Sequence, residues 1–196
     1  MHTLPLVRRR ALRTVVTIHD LAFKLYPDTF PRRDVVMLNT LTDYAVRHAD
    51  VLIAVSETTR QDLVRFYPAR AGARVHVVHH GFDAERWRAT PTADAMQSAR
   101  VRYGIGDAPY IIHVGAIQPR KNVPFLTDAF ARVKAAIPTM RLVLVGGDGW
   151  KAAAIHAHIA RSPWRADILV TGNIPFADVV ALVHGAHAGV LPSLYE

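Results

Sequence analysis

Apolar residues along this 196-residue chain gather in short continuous runs, and between the runs the apolar positions recur every three or four residues. The runs fall at 14–18, 50–55, 74–78, 110–114, 141–145, 167–171 and 188–191. Most are unbroken Val/Ile/Leu stretches rather than alternating ones, the pattern of parallel strands buried on both faces. The intervening stretches predict helices near 34–48, 57–67, 123–136, 150–161 and 177–185. Ser56 and Asn122 stand where helix N-caps belong, and Pro124 suits a first turn. Strand–helix alternation of this kind predicts an α/β fold with doubly wound parallel sheets.

The pattern breaks between Trp87 and Pro109, where "RATPTADAMQSARVRYGIGDAP" is rich in small and polar residues, with Pro91, Gly104 and Gly106 as breakers. Residues 1–88 and 109–196 then form two α/β units, joined by a linker at 89–108 with a short helix near 94–103. Three strands precede the linker and four follow it, so neither unit makes a sheet of usual width. The chain stops on "LPSLYE", directly after a strand, where a loop and helix would normally come. Both ends are therefore expected to be cut.

Ligands of open α/β sheets sit beyond the carboxyl ends of the strands. There the sequence places His19-Asp20, Ser56-Glu57, His79-His80-Gly81, Gly115 with Arg120-Lys121 shortly after, Gly146-Gly147-Asp148-Gly149, Gly172-Asn173 and Pro192–Glu196. Arg120-Lys121 admits two readings. The pair is solvated loop charge, or it is an anion grip ahead of a helix N-terminus. In the second case Arg supplies a bidentate fork and Lys a point charge, which suits a diphosphate. Gly147–Ala152 fits the dinucleotide pattern G-x-G-x-x-G/A. The acid at the matching distance, Asp167, begins the next strand instead of ending it, which favours a tight glycine turn. His19 is either structural or a working ring, and Asp20 after it either orients that ring or caps a turn. His79 and His80 are adjacent and point to opposite sides of an extended chain, and His156 and His158 do not share a helix face. No metal is expected.

Charge and composition narrow the partners. The net charge is +8 with a pI near 10.3, which makes nucleic acid a partner to test. The excess is dispersed apart from Arg8, Arg9, Arg10 and Arg13, which argues against a nucleic-acid module and leaves solvated surface or an anionic, lipid-linked partner. Without cysteine there are no disulfides or thiol nucleophiles. No apolar run approaches the roughly 18 residues that span a bilayer. The start, "MHTLPLVRRR", lacks the apolar core of a secretory signal. A cytoplasmic protein is expected, with peripheral contact to an anionic membrane face as a candidate.

Taken in order, "TIHDLAFKLYPDTFP", "RHADVLIAVSETTRQDL", "VHHGFD", "PYIIHVGAIQPRKN", "RLVLVGGDGW" and "VTGNIPFADVVAL…LPSLYE" resemble the retaining glycosyltransferases of family 4, which have the GT-B fold of two Rossmann-like domains. The resemblance implies that the second unit binds a nucleotide-sugar donor, with Gly115 clearing space and Arg120 and Lys121 gripping its diphosphate. It implies that Glu196 touches the donor sugar, that His19 lies near the transferred sugar, and that Asn173 and Ile174 lie beside the base. The family's second glutamate, which binds ribose, would fall beyond Glu196. Two positions depart from the pattern: Ala116 stands where some members have an arginine, and His80 where many have asparagine before the glycine. The implied activity moves a sugar from a nucleotide-diphosphate sugar to a glycan or lipid-linked acceptor, without a cofactor or metal. The other readings are an NAD-type oxidoreductase using "GGDGWKA" and a basic nucleic-acid-binding module.

Overall fold

A computed structural model describes residues 13–196, so the arginines at 8–10 lie outside the described residues. The chain divides into two compact units, one reaching to Phe82 and taking in Glu196, the other spanning Asp83–Tyr195.

In the first unit, β1 (Val15–Ile18), β2 (Val51–Ala54) and β3 (Val75–Val77) form a parallel sheet in that order. Each is slightly shorter than its apolar run, and Val15 pairs with Val51 and Leu52 with Val75. Its helices are α1 (Ala22–Leu25), α2 (Arg32–His48), α3 (Glu57–Phe66) and α4 (Pro68–Ala71). Ile18, Leu21, Val46, Leu52, Ala54 and Leu63 are fully buried. As expected, Ser56 caps α3, its hydroxyl accepting from the Thr59 N–H at 3.1 Å. The helix expected over 57–67 breaks at Tyr67 and restarts at Pro68, because proline suits a first turn but not a helix interior.

The second unit carries α5 (Ala84–Arg88), α6 (Ala93–Arg102), β4 (Tyr110–Val114), α7 (Val123–Ala136), β5 (Arg141–Val145), α8 (Ala152–Arg161), β6 (Ile168–Gly172), α9 (Phe176–His184) and the two-residue β7 (Ala188–Gly189). The strands are parallel in the order β6-β5-β4-β7. Along β5 the side chains alternate between two cores. Leu142 and Leu144 pack with Leu126, Phe130, Ile155 and Ile159 of α7 and α8. Val143 and Val145 pack with Ala99, Tyr110 and Leu182 on the face covered by α6 and α9. Both faces are covered, which is why the strands read as continuous apolar runs.

The helix anticipated near 94–103 is α6, and it is a layer of the second unit: Ala99 is buried against the sheet. Arg100 donates to the carbonyls of Gly106 and Ala108, both at 2.8 Å, folding the glycine-rich turn back onto it. Arg102 (2.7 Å) and the Tyr103 hydroxyl (2.6 Å) both donate to Asp178 of α9. The Tyr103 hydrogen bond, helped by Arg102, holds the Asp178 carboxyl below the usual aspartate range. A depressed carboxyl stabilises the fold above its unfolded pKa and loses that contribution as pH falls through its folded value. Asp178→Asn should therefore melt below the parent at pH 7, and the gap should narrow as the pH is lowered through the acid range where Asp178 protonates in the fold. An equal gap in Tm throughout that range would contradict this.

Candidate active site

The carboxyl ends of β4, β5 and β6 are drawn together by backbone hydrogen bonds. The Gly115 N–H donates to the Val145 carbonyl (2.8 Å) and the Gly146 N–H to the Gly172 carbonyl (3.0 Å). At Gly146, with φ of 147°, a Cβ would lie 2.1 Å from the Gly115 carbonyl oxygen, so only glycine lets the two strand ends approach this closely. Ile117 and the glycine loop after β5 are laced together, Ile117 donating to the Gly147 carbonyl (2.9 Å) and Gly149 to the Ile117 carbonyl (3.0 Å). Asn173, just past β6, accepts from the Gly147 N–H at 2.8 Å. These strand ends surround an open pocket of about 370 Å³ whose lining includes Gly115, Gly147, Asp148, Asn173 and Ile174. Three of the residues nominated from the sequence thus meet in one pocket.

Arg120 and Lys121 end a 3-10 turn, Pro119–Lys121, that leads into α7. The turn folds Lys121 back, and its Cε lies 3.7 Å from where a Cβ on Gly115 would be. Beneath the same glycine is His113, fully buried, whose Nδ1 faces the Val190 carbonyl at 2.9 Å and whose Nε2 would sit 3.1 Å from that Cβ. Gly115 is therefore pressed between a buried ring and the lysine stem. Arg120 donates to the Tyr195 carbonyl at 2.5 Å, and its own carbonyl accepts from the Leu194 N–H at 2.9 Å. The "PSLYE" segment is in this way strapped to the cation turn, two stretches some 75 residues apart.

Asn122 does not cap α7. It sits in the left-handed region with φ of 55°, makes no capping bond, and instead donates from Nδ2 to the Pro192 carbonyl at 3.3 Å. Asparagine tolerates that backbone. The sharp turn from the 3-10 segment into the helix needs it, and it carries the side chain to the C-terminal strap instead of the helix N–H groups. Sequence reasoning saw an asparagine before a proline and a helix, which cap and turn share.

The loop "GGDGWKA" is the tight turn, not a dinucleotide cradle. Its glycines are spent on Ile117 and Asn173, and Asp148 pairs with His156 at 2.6 Å. Asp167 serves no ribose role at the strand end: it pairs with the buried Lys134 at 2.8 Å, before β6 begins.

In the first unit, His19 follows β1 and its carbonyl accepts from Thr59 Oγ1 at 3.1 Å. Its neighbour Asp20 accepts from the Ala22 N–H at 3.0 Å, closing the turn that leads into α1. The ring meets His80, Nδ1 to Nε2 at 3.2 Å. Sequence reasoning missed His80, whose only visible signal was that it replaces a common asparagine. Glu196, exposed, follows the strapped Tyr195 and groups with the first unit.

Two family models match the chain, Glycosyltransferase Family 4 over residues 2–86 and Glycosyl transferases group 1 over residues 108–196. The O-antigen chain mannosyltransferase B of Escherichia coli is 25% identical over 191 residues, covering 95% of this chain and 49% of that protein. The GDP-mannose-dependent α-(1-6)-phosphatidylinositol monomannoside mannosyltransferase of Mycolicibacterium smegmatis is 29% identical over 147 residues, 73% of this chain and 35% of its own. Among solved structures, Anabaena HepE in complex with UDP and glucose superposes with a TM-score of 0.73 at 20% identity, over 92% of this chain and 46% of that one. WaaG, a glycosyltransferase involved in lipopolysaccharide biosynthesis, gives 0.69 at 18% identity, over 92% and 50%.

Two parallel sheets, each in its own unit, with a glycine-rimmed pocket at the strand ends of the second, give the chain the α/β fold of these solved structures, which are of GT-B type. The chain belongs to glycosyltransferase family 4, its second half carrying the group 1 region. It spans about half the length, or less, of the curated relatives it matches.

Proposed function

We propose that this chain is part of a glycosyltransferase that takes a sugar from a nucleotide-diphosphate sugar and passes it, with retention, to a glycan or lipid-linked acceptor. The observation that carries the reading is the placement of Lys121 over Gly115, beside the pocket that Asn173 and Ile174 line. A diphosphate lying on Gly115 would meet the Lys121 ammonium as a point charge and the Arg120 guanidinium as a fork. The first turn of α7, which Asn122 leaves without a side-chain cap, adds its positive dipole end. The nucleoside base lies toward Asn173 and Ile174, and Glu196 positions the donor sugar.

Departure of the nucleoside diphosphate develops negative charge on phosphate oxygen, and cations already in place stabilise that charge with no metal or cofactor required. The leaving phosphate accepts the acceptor's proton, so front-face transfer uses no protein base, and His19 acts near the transferred sugar. The relatives that act in O-antigen and phosphatidylinositol mannoside assembly favour a cell-envelope acceptor. The net charge of +8 suits peripheral contact with an anionic membrane from the cytoplasmic side. No described helix is long and apolar enough to cross a membrane.

Calorimetry with UDP, GDP and ADP tests the grip. One of the three should bind the chain, and Lys121→Ala should weaken it about 10- to 100-fold, the worth of one charge-assisted contact. Unchanged affinity in the variant would remove Lys121 from the site. Failure of all three to bind would overturn the donor reading for this chain.

A further inference from the structure

Ten residues line the pocket at the ends of β4, β5 and β6, and only Asp148 and Asn173 among them have polar side chains. The others are glycine, alanine, valine and isoleucine. The glycine N–H groups of the lining are already engaged. Gly115 donates to the Val145 carbonyl, Gly146 to the Gly172 carbonyl and Gly147 to Asn173 Oδ1. Discrimination between polar ligands in this pocket therefore falls largely to two side chains.

Both side chains are held in place. Because Asn173 Oδ1 accepts from the Gly147 N–H at 2.8 Å, the amide oxygen is turned to the loop and Nδ2 is the group left to donate. The fit needs Gly147 to lack a side chain, since a Cβ there would stand 2.6 Å from Nδ2 and 2.8 Å from Oδ1. Asp148, the next residue, has its Oδ1 against His156 Nε2 of α8 at 2.6 Å. A carboxylate has two oxygens and about four acceptor sites, so this contact orients the group and leaves it able to accept more. Asp148 and Asn173 are both exposed to the open pocket.

We infer that this pocket selects guanine, so that the donor is a guanosine-diphosphate sugar: Asp148 accepts from the N1–H and the 2-amino group of the base, and Asn173 Nδ2 donates to its O6. This rests on the donor reading proposed above, which places a nucleotide here, and adds which base it carries. Guanine alone among the common bases presents a carbonyl followed by two neighbouring N–H donors. Uracil has one N–H between two carbonyls, so a carboxylate that takes the N–H sets its second oxygen against a carbonyl oxygen. Adenine has an amino group where Asn173 needs an acceptor, and a bare ring nitrogen where Asp148 needs a donor. Ile174 and the valines of the lining suit the apolar faces of the ring. A site built on such polar groups rejects a ligand that leaves them unpaired.

The test is calorimetric titration of the 196-residue chain and its Asp148→Asn variant with five nucleotides. These are GDP, UDP, ADP, inosine diphosphate, whose base lacks the 2-amino group, and xanthosine diphosphate, whose base has a carbonyl there. GDP should bind the parent at least about 10-fold more tightly than the other four, the worth of one hydrogen bond to a charged acceptor. Asp148→Asn should weaken GDP by about 10- to 100-fold and bind xanthosine diphosphate in preference to it, because an amide can donate to the new carbonyl and a carboxylate cannot. A variant that had only loosened the loop would lose all nucleotides alike, and that result overturns the role of Asp148. UDP or ADP binding the parent as tightly as GDP overturns the inference and leaves the donor reading standing. Inosine diphosphate matching GDP in the parent overturns it too, with no variant involved. If none of the five binds the parent, the donor reading falls and the choice of guanine falls with it.

Discussion

Gly146→Ala should lower the stability of the second unit by about 4 kcal/mol and abolish nucleotide binding. Two costs add at this position. The φ of 147° is one that residues with a side chain rarely adopt, and the new methyl carbon would stand 2.1 Å from the Gly115 oxygen and 2.6 Å from its carbonyl carbon. Both obstacles are backbone atoms, so no side chain can rotate away. The strand ends must separate, which strains the Gly115–Val145 and Gly146–Gly172 hydrogen bonds that shape the pocket rim. Stability and binding are expected to fall together because the same close approach serves both. Gly72, where a Cβ would meet nothing within 4 Å, gives the control: alanine there should change stability by no more than about 0.5 kcal/mol. Thermal melts of the two variants, with nucleotide titration of each, make the comparison. A Gly146→Ala protein that melts with the parent would mean the strand ends are not held this tightly.

The sheet was legible in the sequence for the reason the second unit makes plain. Burial on both faces turns a strand such as β5 into an unbroken apolar run, so Leu142 and Val143 look alike although they enter different cores. The short helices α1 and α5, of 4 and 5 residues, were not legible, because one turn cannot display a 3.6-residue period. The glycines and the Arg120-Lys121 pair stood out because strand-end glycines and adjacent cations are local features. Their arrangement did not stand out. The C-terminal strap on Arg120 and the His19–His80 contact join segments 75 and 61 residues apart, and neither partner carries a mark of the other. His79 and His80 are adjacent in sequence, yet they have different partners. Adjacency could not say that one finds a backbone carbonyl and the other a second imidazole.

Lys134→Met should destabilise the second unit by about 3–5 kcal/mol, the usual result of stripping one partner from a buried ion pair. Along α7, Leu126 and Phe130 mark a buried stripe at four-residue spacing, and Lys134 continues it. Helical periodicity therefore aims this lysine inward, where only 4% of it remains exposed. Its ammonium is fully employed there. It pairs with Asp167 at 2.8 Å, donates to the carbonyls of Pro138 and Met140, and lies 5.5 Å from the Trp164 ring centre. One charge thus ties the end of α7 to the turn before β5 and to the entry of β6. Methionine fills the volume but leaves a carboxylate and two carbonyls without their donor, so the loss comes from unmet polar groups and not from a cavity. Neutralising the orphaned acid separates these contributions. Lys134→Met/Asp167→Asn should recover roughly half of the loss, because it removes the uncompensated charge and leaves the two carbonyls. Urea titration of the parent, both single variants and the double variant gives the coupling energy directly. If the double variant were as unstable as the sum of the two single ones, the pair would carry no coupling, and Lys134 would act through its carbonyl bonds alone.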